Sequence, residues 1–90
     1  MDAIQDKVSA SIDDLETSIA FRNLAKVNHW AGKFAEAIVA ARRSLFIAPD
    51  DLESRFLLAD SLNNLEQYEE ARSEYQILFD IEDYARAHLP

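Results

Sequence analysis

The side chains best suited to chemistry in this chain are two histidines, His29 and His88, and three pairs of adjacent carboxylates, Asp13-Asp14, Asp50-Asp51 and Glu69-Glu70. An imidazole set against a carboxylate is the usual beginning of general acid–base catalysis or of a metal site. Neither histidine stands in a His-Glu-x-x-His arrangement or at a catalytic spacing from a serine or a carboxylate. Each acidic pair falls where a helix is expected to start or turn, and there carboxylates accept from unpaired amides and complement the helix dipole. That accounts for them without a metal. The chain has no cysteine and one glycine, which removes thiolate zinc, cysteine nucleophiles, disulfides and glycine-rich phosphate loops together. No catalytic residue, cofactor or metal site is expected, and the chain does not read as an enzyme.

A second constellation suits recognition. Arg22, Lys26 and His29 follow an i, i+4, i+7 spacing, which places them on one helix face. They form a basic stripe in a chain whose formal net charge is −8. A solvated charged face is the plain explanation of such a stripe. Phe56 and Leu57 sharpen the alternative, because the core between two paired helices absorbs at most part of two adjacent large apolar side chains. Trp30 reads equally as an interface anchor or as core or a cover over the turn before Gly32.

The elements that must carry these residues are helical. Ninety residues make one domain, and 49% hydrophobic residues with one Gly and two Pro favour a folded helical chain over disorder. The N-terminal Met1–Lys7 segment carries acids where a targeting peptide needs bases, and no apolar run approaches the ~18 residues that span a bilayer. A cytoplasmic location away from membranes is expected. The net charge also repels nucleic-acid phosphate.

Leu24-Ala25 falls on Leu58-Ala59, Phe34 on Tyr68 and Glu36-Ala37 on Glu70-Ala71, always at one and the same offset. Asp2-Ala3-Ile4 lies that same distance before Glu36-Ala37-Ile38. Small Ala25 and Ala37 on facing stripes let two helices approach closely. Gly32 suits a left-handed cap, and Glu66 holds the equivalent place. There the backbone either turns left-handed at a non-Gly residue, or Asn63 or Asn64 caps a shortened helix. Pro49 stops a helix, and Asp50-x-x-Glu53 reads as the capping box of the next. Five helices are predicted: Asp2–Ile12, Ser18–Ala31, Phe34–Ile47, Leu52–Leu65 and Tyr68–Ala87. Ile4, Val8, Ile12 and Leu15 form the apolar stripe of the first. Phe34, Tyr68, Tyr75 and Phe79 are expected in inter-helix packing, while Phe79, Ile81, Tyr84 and Leu89 have no following repeat to cover them.

The constant offset and these positions resemble the tetratricopeptide repeat family, whose period is about 34 residues. The resemblance covers two full repeats, 18–51 and 52–85, with a half repeat or capping helix over 1–17 and a tail at 86–90. It implies an all-α, right-handed stack of antiparallel helix pairs. It also implies a concave groove lined by the first helix of each repeat. On this chain that surface carries Ile19, Arg22, Asn23, Lys26 and His29, then Glu53, Phe56, Leu57, Asp60, Asn63 and Asn64. Arg22, Asn23, Lys26, His29, Phe56, Leu57, Asp60 and Asn63 are the candidate partner-binding residues. Some members of the family grip a chaperone's terminal carboxylate with Lys and Asn on three repeats. Here Lys26 and Leu57 stand where Asn is needed and the third repeat is missing, so that clamp is not implied.

The expected function is therefore a protein-binding scaffold or adaptor taking up a peptide or helix. The alternative is self-association through the terminal helices, as a homo-oligomer or as a piece of a longer repeat array. Neither a nucleic-acid nor a membrane partner is expected.

Overall fold

A computed structural model describes residues 3–88 of the chain, with side chains from residue 14 onward. It contains four α-helices: α1 over Ala3–Trp30, α2 over Phe34–Ile47, α3 over Leu52–Asn64 and α4 over Tyr68–His88. No strand occurs among the described residues, so the all-α reading holds. The last three helices lie within a residue of their predicted bounds.

The first two predicted helices are one. α1 runs without interruption through 13–17, where the sequence predicts a break between Ile12 and Ser18. That stretch, Asp-Asp-Leu-Glu-Thr, contains neither Gly nor Pro. An Asp in a helix interior costs only about 0.7 kcal/mol relative to Ala, which is too little to end a helix. Leu15 of the predicted first stripe is exposed; Ile4, Val8 and Ile12 lie outside the residues whose side chains are described, as does Leu89 at the other end.

α2 ends before Pro49, and Asp51 caps α3 by accepting from the Ser54 amide at 3.2 Å. The cap therefore falls one residue later than the predicted Asp50 box. This shift frees Glu53 to turn toward α1.

The two turns that close the helix pairs repeat each other bond for bond. The Lys33 amide donates to the Asn28 carbonyl at 2.8 Å, and in the second helix pair the Gln67 amide donates to Leu62 at 2.9 Å. Gly32 to His29 at 3.1 Å is matched by Glu66 to Asn63 at 3.0 Å. Gly32 has φ 78° and Glu66 φ 64°. The second turn is thus left-handed, and the shortened, Asn-capped alternative is not what forms. Asn64 instead donates back to the Asp60 carbonyl at 2.8 Å.

Each helix packs on the next, and α1 also packs on α3. Ala25, Ala37, Ala59 and Ala71 are buried at equivalent places in the two pairs, which is how small side chains bring two helix axes together. Ile38, Leu57, Leu58 and Leu62 fill the space between the pairs. Each such side chain contributes about 1.5–3 kcal/mol. A buried serine seam crosses three helices: the Ser54 hydroxyl donates to Ser44 Oγ at 2.8 Å, and Ser44 donates to the Ser18 carbonyl at 3.0 Å.

Two packing predictions fail. Tyr68 is 59% and Phe79 56% exposed, because none of the described helices lies beyond α4 to cover them; Phe34 and Tyr75 are half-buried as expected. Trp30 is 75% exposed, so it is not part of the core.

Candidate functional site

The packing of α1 on α3 turns the predicted basic stripe toward the acids of α3. Arg22 Nη1 donates to Asp51 Oδ2 at 3.1 Å, and its Nε lies 3.5 Å from Glu53. Lys26 Nζ is 2.5 Å from the other Glu53 oxygen. His29 Nε2 is 2.5 Å from Asp60 Oδ2. The stripe is real, but it is neutralised within the chain rather than free for a carboxylate from outside. Sequence reasoning places both sets on one surface without pairing them.

Asp60 is the hub of this face. Besides His29 it accepts from the Tyr75 hydroxyl of α4 at 3.0 Å, so one carboxylate ties α1, α3 and α4. His29 Nδ1 is buried without a partner. A carboxylate oxygen can only accept, so Nε2 is the ring nitrogen that donates to Asp60. The ring edge of His29 meets Phe34, with centroids 5.7 Å apart. Burial first, then the hydrogen bond to Asp60 and its negative charge, push the Tyr75 phenol from 10.0 up to about 12. Neither Tyr75 nor Asp51 is among the candidate partner-binding residues. The Asp51-x-x-Ser54 spacing is a signal for the cap, whereas nothing local links Tyr75 to Asp60.

The remaining candidates divide. Phe56 is 47% exposed and stands edge-on to Tyr75 with centroids 6.3 Å apart. Asn23 and Asn63 are exposed. Leu57 is 4% exposed and belongs to the core, which removes it from any partner surface. Of the adjacent apolar pair, the fold absorbs Leu57 and leaves Phe56 at the surface.

Arg55 ties α3 to α4 and to the preceding turn, donating to Glu74 at 2.7 Å and to the Pro49 carbonyl at 2.8 Å. Among the described residues no group of three or more His, Asp or Glu converges as a metal site. Nor is any helix among them long and apolar enough to cross a membrane. No protein family, curated protein or solved structure matches the chain.

Proposed function

We propose that this chain is a short tetratricopeptide-like stack that acts by binding a peptide or helix of another protein, as a scaffold or adaptor and not as an enzyme. The repeat reading is supported by the two turns, whose hydrogen bonds and left-handed residues recur at the offset that the sequence itself repeats. The observation that carries the binding reading is the α1–α3 face itself. Phe56 stands half-exposed, braced edge-on by Tyr75, with exposed Asn63 about two turns further along α3. A rigidly held aromatic beside polar groups suits an anchor contact, since little side-chain freedom is lost on binding. With Arg22 and Lys26 already paired to α3, the partner offers an apolar side chain to Phe56 and amide-type hydrogen bonds to Asn23 and Asn63. A bare carboxylate is a poor fit.

The test is selection of peptides from a displayed random library against the immobilised chain, followed by anisotropy titrations at a protein concentration where the chain is monomeric. Phe56→Ala is expected to weaken the selected peptides about 10-fold or more. Phe46→Ala, in a separate groove with Arg42 and Arg43, leaves them unchanged. Equal binding by wild type and Phe56→Ala overturns the proposal.

A further inference from the structure

Advancing the chain by one repeat carries the turn between α1 and α2 onto the turn between α3 and α4. It thereby relates the two ends of the molecule to an interface the molecule already contains. Inside the chain, α3 covers the face formed by α1 and α2. Among the described residues, nothing covers the counterpart of that face, formed by α3 and α4. A groove of about 360 Å³ runs along it, lined by Asn63, Tyr68, Ala71, Tyr75 and Phe79 among others. At the opposite end, α1 presents the counterpart of the surface that α3 buries. Leu58 is 3% exposed inside the chain, whereas its counterpart Leu24 is 50% exposed.

We infer that a second copy of this chain docks head to tail, its α1 lying on the α3–α4 face of the first as α3 lies on α1 and α2, so that it competes with the proposed peptide for Phe56 and Asn63.

The register follows from contacts already present. The Arg22–Glu53 pair becomes Phe56 of one copy against Ile19 of the next. The His29–Asp60 pair becomes Asn63 against Lys26, an amide oxygen facing an ammonium. The Ser44–Ser54 bond becomes Leu78 against Ala20. None of these pairs sets like charges together, and two of them replace a polar contact by an apolar one. Asp60 also comes near Ile19, but its carboxylate is already bonded to His29 and Tyr75.

Helix lengths agree. α2 and α3, at 14 and 13 residues, both stop for the turn that joins them. Between two copies no turn is needed. There the C-terminal end of α4 runs beside the N-terminal end of α1, and these are the helices that extend, to 21 and 28 residues. α4 continues past Ile81, the counterpart of the last residue of α2, and α1 begins well before Ser18, the counterpart of the first residue of α3. An interface of two different surfaces leaves both outer ends competent, so assembly continues beyond a dimer.

Sedimentation equilibrium from about 1 µM to 1 mM tests this, with Leu24→Glu blocking one end and Phe79→Glu the other. Both positions are about half-exposed, so the variants are expected to keep the wild-type circular dichroism. The wild type gains mass past a dimer as concentration rises, each variant alone stays monomeric, and an equimolar mixture of the two stops at a dimer. A monomeric wild type across the range, or a Leu24→Glu variant that still dimerises alone, overturns the proposal. A second readout uses the absence of native cysteine. Ser44 and Ser54 bring short side chains to 2.8 Å, so under mild oxidation their counterparts Leu78→Cys and Ala20→Cys mixed together form the unlike disulfide at least about 10-fold faster than either forms a like pair. Equal rates overturn the register.

Discussion

Gly32 and Glu66 hold the same left-handed turn in successive helix pairs, at φ 78° and 64°, although only one of them is the residue that adopts this conformation without cost. An L-residue with a Cβ there loses about 1–2 kcal/mol, so Glu66→Gly is expected to stabilise the chain by about 1 kcal/mol. Gly32→Ala is expected to destabilise it by a similar amount. A Cβ at Gly32 meets nothing within 4 Å, so that loss would be backbone strain and not a clash. Urea midpoints of the two variants against wild type decide the point, and a neutral Glu66→Gly would refute it.

Arg22 joins α1 to the cap of α3 through Asp51 and Glu53. Arg22→Glu places a third carboxylate beside those two and is expected to lower stability by about 1–2 kcal/mol, while Arg22→Gln costs less. Salt should narrow the gap between the two variants, since it screens the repulsion. Identical urea midpoints for Arg22→Glu and Arg22→Gln at low salt would contradict the pairing. For the same reason charge reversal at Arg22 or Lys26 is a poor probe of partner binding, because it unsettles α3.

The parts of the fold written into local sequence were legible, and those set by distant neighbours were not. Pro49 and Gly32 locate two of the turns because each acts through its own backbone, and the recurring Leu-Ala and Phe/Tyr positions carry that pattern to the second pair, placing three helices nearly to the residue. The stretch 13–17 misled because acidic residues favour helix starts without enforcing them. The candidate site was half visible. Helical spacing gathers Arg22, Lys26 and His29 on one face, but their neutralisation depends on α3 packing across α1, and burial of Leu57 rather than Phe56 depends on how α3 is rotated against its neighbours. Tyr75 joins the site only through the return of α4.

Ser44 both donates to the Ser18 carbonyl and accepts from Ser54, in a seam where all three residues are fully buried. Ser44→Ala leaves the Ser54 hydroxyl without its acceptor and is expected to cost about 1–3 kcal/mol. Removing the second hydroxyl as well, in Ser44→Ala with Ser54→Ala, abolishes the stranded donor and should recover part of that loss. Thermal melts of the two single variants and the double variant give the coupling. Strictly additive losses would mean the seam is not a connected network.

Tyr75 makes stability depend on alkaline pH. Burial, with Asp60 as hydrogen-bond acceptor and negative neighbour, holds its phenol at about 12 in the folded chain against 10.0 for the free group. The folded value lies above the unfolded one, so the neutral phenol is the form the fold favours. Its contribution is fully present below pH 10 and is lost as pH rises through about 12. Tyr75→Phe removes the titrating group together with the bond to Asp60, and is expected to cost about 1 kcal/mol near neutrality. The difference in urea midpoint between wild type and Tyr75→Phe should therefore shrink from pH 10 upward. A gap that stays constant up to about pH 12 would mean that burial and Asp60 together do not raise the Tyr75 phenol in the folded chain.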